Sequence, residues 1–560
     1  MVVWIQNCNP GAVCNGIATN RYPALTKTTT SDRKRTKTNR IGRTAWVVLF
    51  ILACLTCIAI RIRLLNLPLE RDEGEYAYAG QLMLHGIAPY KLAYNMKFPG
   101  TYAAYAMIMS LFGQTTVGVH LGLLLVNLAT VGLVLLIGLR LVNWETGLAA
   151  ATTYVVLAIN PAVMGLAAHA THFVVLFTLA GLLLLLGDTS SSSLASIFIS
   201  GLFLGVAVLM KQPGIMFLIL GFFWLLYRER KQPLPRLLSI LAVFTFAALL
   251  SLIIATGAVW VAGTLGSCWF WCVQYARVYG TSISIKEGWD LFLSNIPVVF
   301  GECWPIWLLS AAGLVIALAK PGKFRPLFLV GLTIASALAV SMGLYFRPHY
   351  FVMLLPALSL FAGVAVAYAA ATQQVITRVI ALLVFAISVA FPIATRAEYF
   401  FRMSPVDACR FRYGENPFPE AIQVADFLRE NSRPDERLVV LGSEPEIYFY
   451  SRRQSATGFI YMYPLMEQQP FASQMQRQMI EEVEKNRPGF VVWVWTPMSW
   501  RVAASSERLL FQWADQYLND NYRPVGLVNM PPQGRTDYYL PIETADLQLA
   551  ENFIIIFQRR

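Results

Sequence analysis

Charged residues are scarce in this chain. Asp, Glu, Lys and Arg make up 14% of its 560 residues, whereas 56% are hydrophobic and the mean hydropathy is +0.54. So little charge excludes an ordinary soluble domain and indicates a protein that crosses the membrane many times. The net charge of +12 does not indicate nucleic-acid binding, because many of the basic residues are gathered in short stretches beside apolar runs.

Cysteine and nucleotide-binding motifs are also sparse. Cys54 and Cys57 form a CxxC pair, but it lies inside an apolar helix and lacks the second pair of ligands that a zinc site needs. The C-terminal part has neither a GxGxxG sequence nor a P-loop, and no DxD motif stands in a cytoplasmic loop. These absences argue against a structural zinc site and against a bound nucleotide.

The chain has instead a long series of apolar segments. Because a crossing takes ~20 apolar residues, we predict about eleven membrane segments. They lie near residues 45–65, 118–141, 147–166, 170–187, 195–210, 213–227, 237–262, 298–319, 326–345, 349–371 and 376–394. Alternation from a cytoplasmic N-terminus places the basic clusters at 33–43, 228–236 and 320–325 inside, as the positive-inside rule requires. The same alternation places residues 66–117, 264–297 and the tail after 395 outside.

Three regions are predicted along the chain. Residues 1–43 are basic and show no periodicity, which predicts a disordered tail; residues 44–395 form a transmembrane domain; residues 396–560 form a domain outside the membrane. In the last region, predicted helices at 419–431 and 471–486 alternate with short strands, which is typical of a small α/β domain. The strands are predicted at Leu438–Leu441, Phe490–Trp495 and Phe553–Phe557.

An acidic cluster follows the first apolar segment. Asp72, Glu73 and Glu75 open a stretch in which apolar residues recur at helical spacing, so we expect an amphipathic helix along the membrane surface. Carboxylates are favoured at a helix N-terminus, but capping explains one of them well and three poorly. Charges this dense beside a membrane segment are costly, which indicates an active site at the membrane surface.

Cations and histidines recur in the other predicted outer turns. Lys97 precedes Phe98-Pro99-Gly100, Lys211 precedes Gln212-Pro213-Gly214, and Arg347 and His349 stand just before a membrane segment. Each lysine could also be an ordinary interfacial residue that reaches toward water. His169 and His172 are three residues apart, so they share a helical face and could form hydrogen bonds or bind a metal.

The order of these motifs resembles a known family pattern. A first span, an outer Asp72-Glu73, a surface helix ending in Leu84-His85-Gly86 and then Lys97-Phe98-Pro99-Gly100 resemble the dolichyl-phosphate-mannose protein mannosyltransferase and aminoarabinose transferase families. These are GT-C fold glycosyltransferases, and the resemblance covers roughly residues 45–395. Many relatives carry an acidic residue near His169-Ala170-Thr171-His172, and this chain does not, which leaves the second acid of the site open.

The resemblance implies a sugar donor carried on a polyprenyl phosphate and used on the outer face of a plasma or inner membrane. It makes Asp72 the expected general base and Glu73 its partner, with Lys97 facing the lipid phosphate. The expected phosphate-binding residues are Lys97, Lys211, Arg347 and His349, and the expected substrate-binding residues are Glu75, His169, His172, Tyr275, Tyr279 and Tyr350. We expect no resident cofactor or metal, because cations can stabilise the departing phosphate and one carboxylate can take the acceptor proton.

Two other functions remain open at this point. A transporter or flippase for a lipid-linked sugar would use similar residues, but transporters tend to show paired repeats, and the sequence shows none. A membrane scaffold whose outer domain binds a partner would make the acidic cluster incidental. The sequence does not reveal the sugar, the acceptor or the oligomeric state.

Overall fold

The computed structural model describes residues 30–187, 193–321, 325–532, 535–543 and 548–560, with side chains from Thr44 onward. Its internal contacts divide the chain into an N-terminal segment, Met1–Ala45, and one compact unit, Trp46–Arg560. Residues 1–29 of the predicted disordered tail lie outside the described residues. From Thr30 the backbone is already helical, because no proline interrupts the stretch that leads into the first apolar segment.

Helices make up the first part of the compact unit. They are α1 (Thr30–Arg63), α2 (Arg71–Leu84), α3 (Pro99–Phe112), α4 (Thr116–Leu141), α5 (Trp144–Leu157), α6 (Ala170–Leu185), α7 (Leu194–Met210), α8 (Ile215–Glu229) and α9 (Leu234–Val261). The predicted helix at the acidic cluster is confirmed as α2, which is separated from α1 by seven residues. Its residues from Glu73 to Leu82 are all buried, so the predicted amphipathic helix along the membrane surface is wrong in its exposure.

The second group of helices leads to the end of the predicted transmembrane domain. They are α10 (Leu265–Trp269), a π-helix (Phe270–Tyr275), α11 (Ala276–Gly280), α12 (Ile285–Gly301), α13 (Trp304–Ala319), α14 (Pro326–Ser341), a 3₁₀-helix (Pro348–Leu354), α15 (Leu355–Ala370) and α16 (Val375–Thr395). The predicted boundary after residue 395 coincides with the end of α16.

Five helices of the described chain are long and apolar enough to cross a membrane, or six if the bent pair α12 and α13 counts as one span. This makes the protein a multi-pass membrane protein, although the predicted count of eleven spans is not confirmed. Each predicted segment coincides with a helix, but α6, α7 and α14 have 16, 17 and 16 residues. A crossing takes ~20 residues, and irregular backbone at membrane depth is tolerated where it lines a polar cavity.

The two ends of α6 differ in charge. At its C-terminal end, Arg140, Arg228 and Arg325 each donate a hydrogen bond to a carbonyl oxygen of residues 183–186, which the helix dipole favours. His169 caps the opposite end and faces carboxylates. Basic and acidic groups are therefore separated by the length of this helix.

The C-terminal domain combines helices with one mixed sheet. Its helices are α17 (Ala397–Phe401), α18 (Pro405–Tyr413), α19 (Phe418–Asn431), α20 (Glu446–Ser451), α21 (Tyr463–Met466), α22 (Ala472–Asn486), α23 (Pro497–Trp500) and α24 (Leu509–Asn521). Its strands are β1 (Leu438–Leu441), β2 (Phe490–Trp495), β3 (Tyr522–Met530), β4 (Asp537–Tyr539) and β5 (Asn552–Arg559).

The sheet has the order β1-β2-β5-β3-β4. Strands β1 and β2 are parallel, and the other neighbours are antiparallel. The three predicted strands and the two predicted helices of this domain are confirmed as β1, β2, β5, α19 and α22. Strands β3 and β4 were not predicted, because Pro524 and Gly526 interrupt β3 and β4 has only three residues.

Candidate active site

Helix α2 begins with a capping box that uses two of its acidic residues. The Glu70 side chain accepts a hydrogen bond from the Glu73 backbone N–H at 3.0 Å, and the Glu73 side chain accepts one from the Glu70 backbone N–H at 3.4 Å. These two carboxylates satisfy backbone groups that a helix start leaves open. Asp72 takes no part in the cap, so its carboxylate is left for other contacts.

Asp72 and Glu75 share Lys97. The two acids are three residues apart on α2 and so lie on one face, and Lys97 Nζ is 3.0 Å from Asp72 Oδ1 and 2.7 Å from Glu75 Oε2. The Tyr102 hydroxyl donates to the second oxygen of Glu75 at 2.6 Å. The Lys97 ammonium also stands 4.5 Å from the centre of the Tyr76 ring. The lysine that the sequence placed on a stiff turn therefore reaches the acidic cluster.

The surroundings control the charges of these groups. Burial opposes ionisation of Asp72, but the positive charges of Lys97 and Arg347 hold its pKa well below the usual range. Burial likewise opposes the charge of Lys97. The carboxylates of Asp72 and Glu75 outweigh this effect of burial, and they raise the pKa of Lys97. Burial raises the pKa of Glu75. The site thus contains an ionised Asp72 beside a charged Lys97.

Two histidines close the other side of Asp72. His169 Nδ1 is 3.8 Å and His349 Nε2 is 3.9 Å from Asp72 Oδ2, and the two rings stack with centroids 4.1 Å apart. Burial lowers the pKa of His169 to about 4, so this ring is neutral at neutral pH. We call Asp72, Glu75, Lys97, His169 and His349 the Asp72 cluster.

Two further cations border the Asp72 cluster. Lys211 Nζ lies 4.0 Å from the centre of the Tyr350 ring, and burial lowers its pKa to about 7. Arg347 Nη2 donates to the Tyr279 hydroxyl at 2.9 Å. Both cations act electrostatically on Asp72. Among the described residues, neither of them forms an ion pair with a carboxylate, so both remain free to receive an anion.

Comparison with solved structures identifies the architecture. The chain aligns with ArnT from Cupriavidus metallidurans bound to undecaprenyl phosphate, at 18% identity and a TM-score of 0.57, over 92% of this chain and 98% of that one. The apo state of the same protein aligns at 16% identity and a TM-score of 0.59, over the same shares. The oligosaccharyltransferase AglB from Archaeoglobus fulgidus, in complex with an inhibitory peptide and a dolichol-phosphate, aligns at 13% identity and a TM-score of 0.51 over 90% and 75%.

The chain has the GT-C fold. No protein-family model and no curated protein matches the sequence. These neighbours confirm the expected GT-C fold, but they do not confirm the expected count of about eleven transmembrane helices.

The aromatic residues of the predicted site divide into two places in this GT-C fold. Tyr279 stacks on Tyr345 with centroids 4.6 Å apart, so it lies with Arg347 beside the cluster. Tyr275 is turned toward the C-terminal domain, where its hydroxyl donates to Glu467 Oε2 at 2.8 Å. The assigned substrate contacts of Tyr275, Tyr279 and Tyr350 stay predictions.

Glu73 and His172 are not brought into the Asp72 cluster. The Glu73 side chain of α2 is fully buried. Its Oε1 accepts a hydrogen bond from the Ala168 backbone N–H at 2.6 Å and lies 3.1 Å from His120 Nε2. His172 has Arg61 and His169 as its charged neighbours, and its ring nitrogens have no hydrogen bond among the described residues. The roles expected for these two residues stay predictions, and the geometry gives Glu73 a place in the helix cap.

Three contributors were missed by sequence reasoning. Glu70, His120 and Tyr102 contact the acidic residues directly. The sequence did not indicate Tyr102 and His120, because a tyrosine or a histidine in an apolar segment is expected to be an ordinary packing residue. Glu70 did carry one, since Glu70 and Glu73 stand at the spacing of a capping box just before a helical pattern.

Asp72, His169 and His349 each offer one atom that could hold a metal ion, and these atoms lie within 4.8 Å of one another. The electrostatic surroundings disfavour a cation there. Lys97, Lys211 and Arg347 already act on Asp72, and a divalent ion would add charge to a site with three cations and few ligands.

Proposed function

We propose that this protein is a membrane glycosyltransferase that moves a sugar from a polyprenyl-phosphate donor to an acceptor on the outer face of the membrane. The observation that carries the proposal is an ionised Asp72 surrounded by Lys97, Lys211 and Arg347 at one end of a GT-C helix bundle. The neighbour structures add support, since one is bound to undecaprenyl phosphate and another to a dolichol-phosphate.

The chemistry follows from the charges. Transfer breaks the bond between the anomeric carbon and the phosphate oxygen, and the departing phosphate keeps the electron pair. The acceptor oxygen forms the new bond and gives its proton to Asp72, which acts as the general base. Negative charge grows on the phosphate as it leaves, and the cations around Asp72 stabilise that charge. A single displacement of this kind inverts the configuration at the anomeric carbon.

The cations have different parts in this scheme. Lys211 and Arg347 receive the donor phosphate first, because neither is paired with a carboxylate among the described residues. Lys97 is held by Asp72 and Glu75 and approaches the phosphate as its charge develops. His349 borders the same space and donates to a phosphate oxygen. These charge-assisted contacts need no resident metal or nucleotide.

The remaining predicted residues shape the substrate side. Glu75 holds Lys97, and Glu73 keeps α2 in place as the partner of Asp72 on the same helix. We propose that His169, His172, Tyr275, Tyr279 and Tyr350 line the path of the sugar and its acceptor, which is a protein, a lipid or a glycan. In this proposal the active site and the C-terminal domain face away from the cytoplasm of a plasma or inner membrane.

Asp72→Asn tests the proposed base. The amide keeps the size of the side chain, and the helix cap formed by Glu70 and Glu73 is untouched, so the protein should fold and insert normally. Loss of a general base costs roughly 10²–10⁴-fold in rate. The assay uses membrane vesicles that contain the full chain, with undecaprenyl phosphate that carries a radiolabelled hexose or pentose.

Asp435→Asn is the matched control, because that side chain is 82% exposed on the C-terminal domain. It should transfer sugar at the rate of the unmodified protein. Near-normal transfer by Asp72→Asn would contradict the proposal and favour a transporter of lipid-linked sugar, which needs no base.

A further inference from the structure

The C-terminal domain reaches the catalytic carboxylate through one loop. In the loop between α20 and α21, Tyr461 is 7% exposed, and its hydroxyl lies 3.0 Å from the Arg71 carbonyl oxygen and 3.4 Å from Asp72 Oδ1. Tyr461 stands 389 residues beyond Asp72 in the chain. Among the described residues, Lys97 and Tyr461 are the two side chains within hydrogen-bond distance of Asp72, and the single hydrogen of the Tyr461 hydroxyl is shared between Asp72 and the Arg71 carbonyl oxygen.

The loop that carries Tyr461 is fixed on both sides. The backbone N–H of Met462 donates to Ser443 Oγ at 2.9 Å, and the Ser443 hydroxyl donates to the Ser499 carbonyl oxygen. On the other side, Gly458 accepts a hydrogen bond from the backbone N–H of Tyr94 at 2.6 Å. Tyr461 is therefore held at the cluster by contacts to the turn after β1 and to the segment before Lys97.

The start of α2 is fixed by the same domain. Arg71 Nη2 is 2.9 Å from Glu444 Oε1, and Arg71 Nε donates to the Ser443 carbonyl oxygen at 2.5 Å. Both Arg71 and Glu444 are nearly buried, with side chains 12% and 0% exposed. The residue next to Asp72 is thus locked to the C-terminal domain, and Tyr461 adds a contact to Asp72 itself.

The structure assigns Tyr461 as a positioning residue for Asp72, an inference that rests on the proposed function. Its hydroxyl and the Lys97 ammonium approach Oδ1, whereas Oδ2 faces His169 and His349. When the donor phosphate attracts Lys97, Tyr461 is the hydrogen-bonding partner that stays. Since the hydroxyl is neutral, it orients the carboxylate without the charge of a second cation.

The titratable groups that face Asp72 come from several elements, and Tyr461 contacts Asp72 in their presence. They are Glu70 and Glu75, Lys97, His169, Lys211, Arg347 and His349.

Tyr461→Phe tests the inference, because it removes the hydroxyl and keeps the ring. We expect the single-turnover rate at saturating donor to fall roughly tenfold. This is the lower end of the range of effects expected when a hydrogen bond to a charged group is lost. The affinity for undecaprenyl phosphate, measured with the same purified protein, should not change, since Tyr461 lies on the carboxylate and not on the phosphate side. The same substitution made in Asp72→Asn should cost nothing further.

Tyr463→Phe is the matched control. It removes a hydroxyl two residues further on, at the start of α21, but that hydroxyl donates to the Met498 carbonyl oxygen and not to Asp72. It should leave the transfer rate unchanged. If Tyr461→Phe transferred sugar at the unmodified rate while Asp72→Asn was inactive, the positioning role would be wrong and the proposed function would stand. Full activity of Asp72→Asn would overturn both.

Discussion

At the scale of single residues, four carboxylates within six positions have different surroundings. Glu70 and Glu73 form the helix cap, Glu75 is bound by Tyr102 and Lys97, and Asp72 is partly exposed beside Lys97. Burial raises the pKa of Glu70, whereas the nearby cations keep Asp72 ionised. Position relative to neighbours, and not residue type, therefore decides which acid can serve as a base.

Lys211 should make binding of the donor phosphate depend on pH. Its pKa of about 7 means that it is charged below neutral pH and loses its proton above it. The protonated lysine attracts a phosphate and the neutral amine does not, so affinity should fall roughly tenfold from about pH 6 to about pH 8. The probe is a polyprenyl methyl phosphodiester, whose charge is constant over this range, and the measurement is its dissociation constant.

Lys211→Arg provides the comparison for this pH dependence. Arginine stays charged at every pH in the range, so the variant should bind the probe with a constant affinity. A pH dependence that persisted in Lys211→Arg would show that another group controls phosphate binding.

At the scale of elements, α2 is packed between the helix bundle and the C-terminal domain. Gly74 lies one residue beyond the cap, and a Cβ built on it would stand 2.7 Å from the Glu446 backbone nitrogen of α20. The Tyr78 hydroxyl accepts a hydrogen bond from the Ser455 backbone N–H at 2.7 Å. The helix that carries Asp72 thus depends on close contact with a domain far away in the chain.

Gly74→Ala should loosen this contact. The added methyl group has to push α20 away, and overpacking of this kind costs about 1–3 kcal/mol. We expect a lower unfolding temperature in detergent and slower sugar transfer, because Asp72 moves with α2.

Gly132→Ala is the control for the glycine substitution. Gly132 also lies inside a helix, α4, but nothing stands within 4 Å of a Cβ built there. The variant should match the unmodified protein in both measurements. Equal behaviour of Gly74→Ala and Gly132→Ala would contradict the packing argument.

At the scale of the whole molecule, the acidic cluster and a group of arginines lie at opposite ends of the helix bundle. The Asp72 cluster and the C-terminal domain lie at one end of α6, and Arg140, Arg228 and Arg325 lie at the other. The positive-inside rule assigns the arginine end to the cytoplasm. The predicted orientation therefore follows from the rule together with this separation, and it stays a prediction.

Cysteine labelling in intact spheroplasts tests the orientation. Asp435→Cys places a thiol on the exposed surface of the C-terminal domain, and Lys231→Cys places one in the exposed connection after α8. A membrane-impermeant maleimide should label the first in intact spheroplasts and the second only after lysis. The unmodified protein sets the background from its own cysteines. Labelling of Lys231→Cys before lysis would reverse the orientation.

The sequence by itself determined the features that depend on local pattern. Apolar length placed a helix at every predicted membrane segment, helical spacing placed α2, and short apolar runs placed β1, β2 and β5. The motifs around Asp72, Lys97, Lys211 and Arg347 could also be predicted, because each lies in a polar turn between apolar segments. The number of crossings stays a prediction, since α6, α7 and α14 are shorter than a full crossing requires.

Tertiary structure alone decided which of these residues meet. Capping by Glu70 and Glu73 separates Asp72 from its acidic neighbours, and packing of α4 gives Glu73 its partner His120. Tyr461 reaches Asp72 only because the C-terminal domain docks on α2. Contacts across tens to hundreds of residues depend on how elements pack, and no local periodicity encodes that packing.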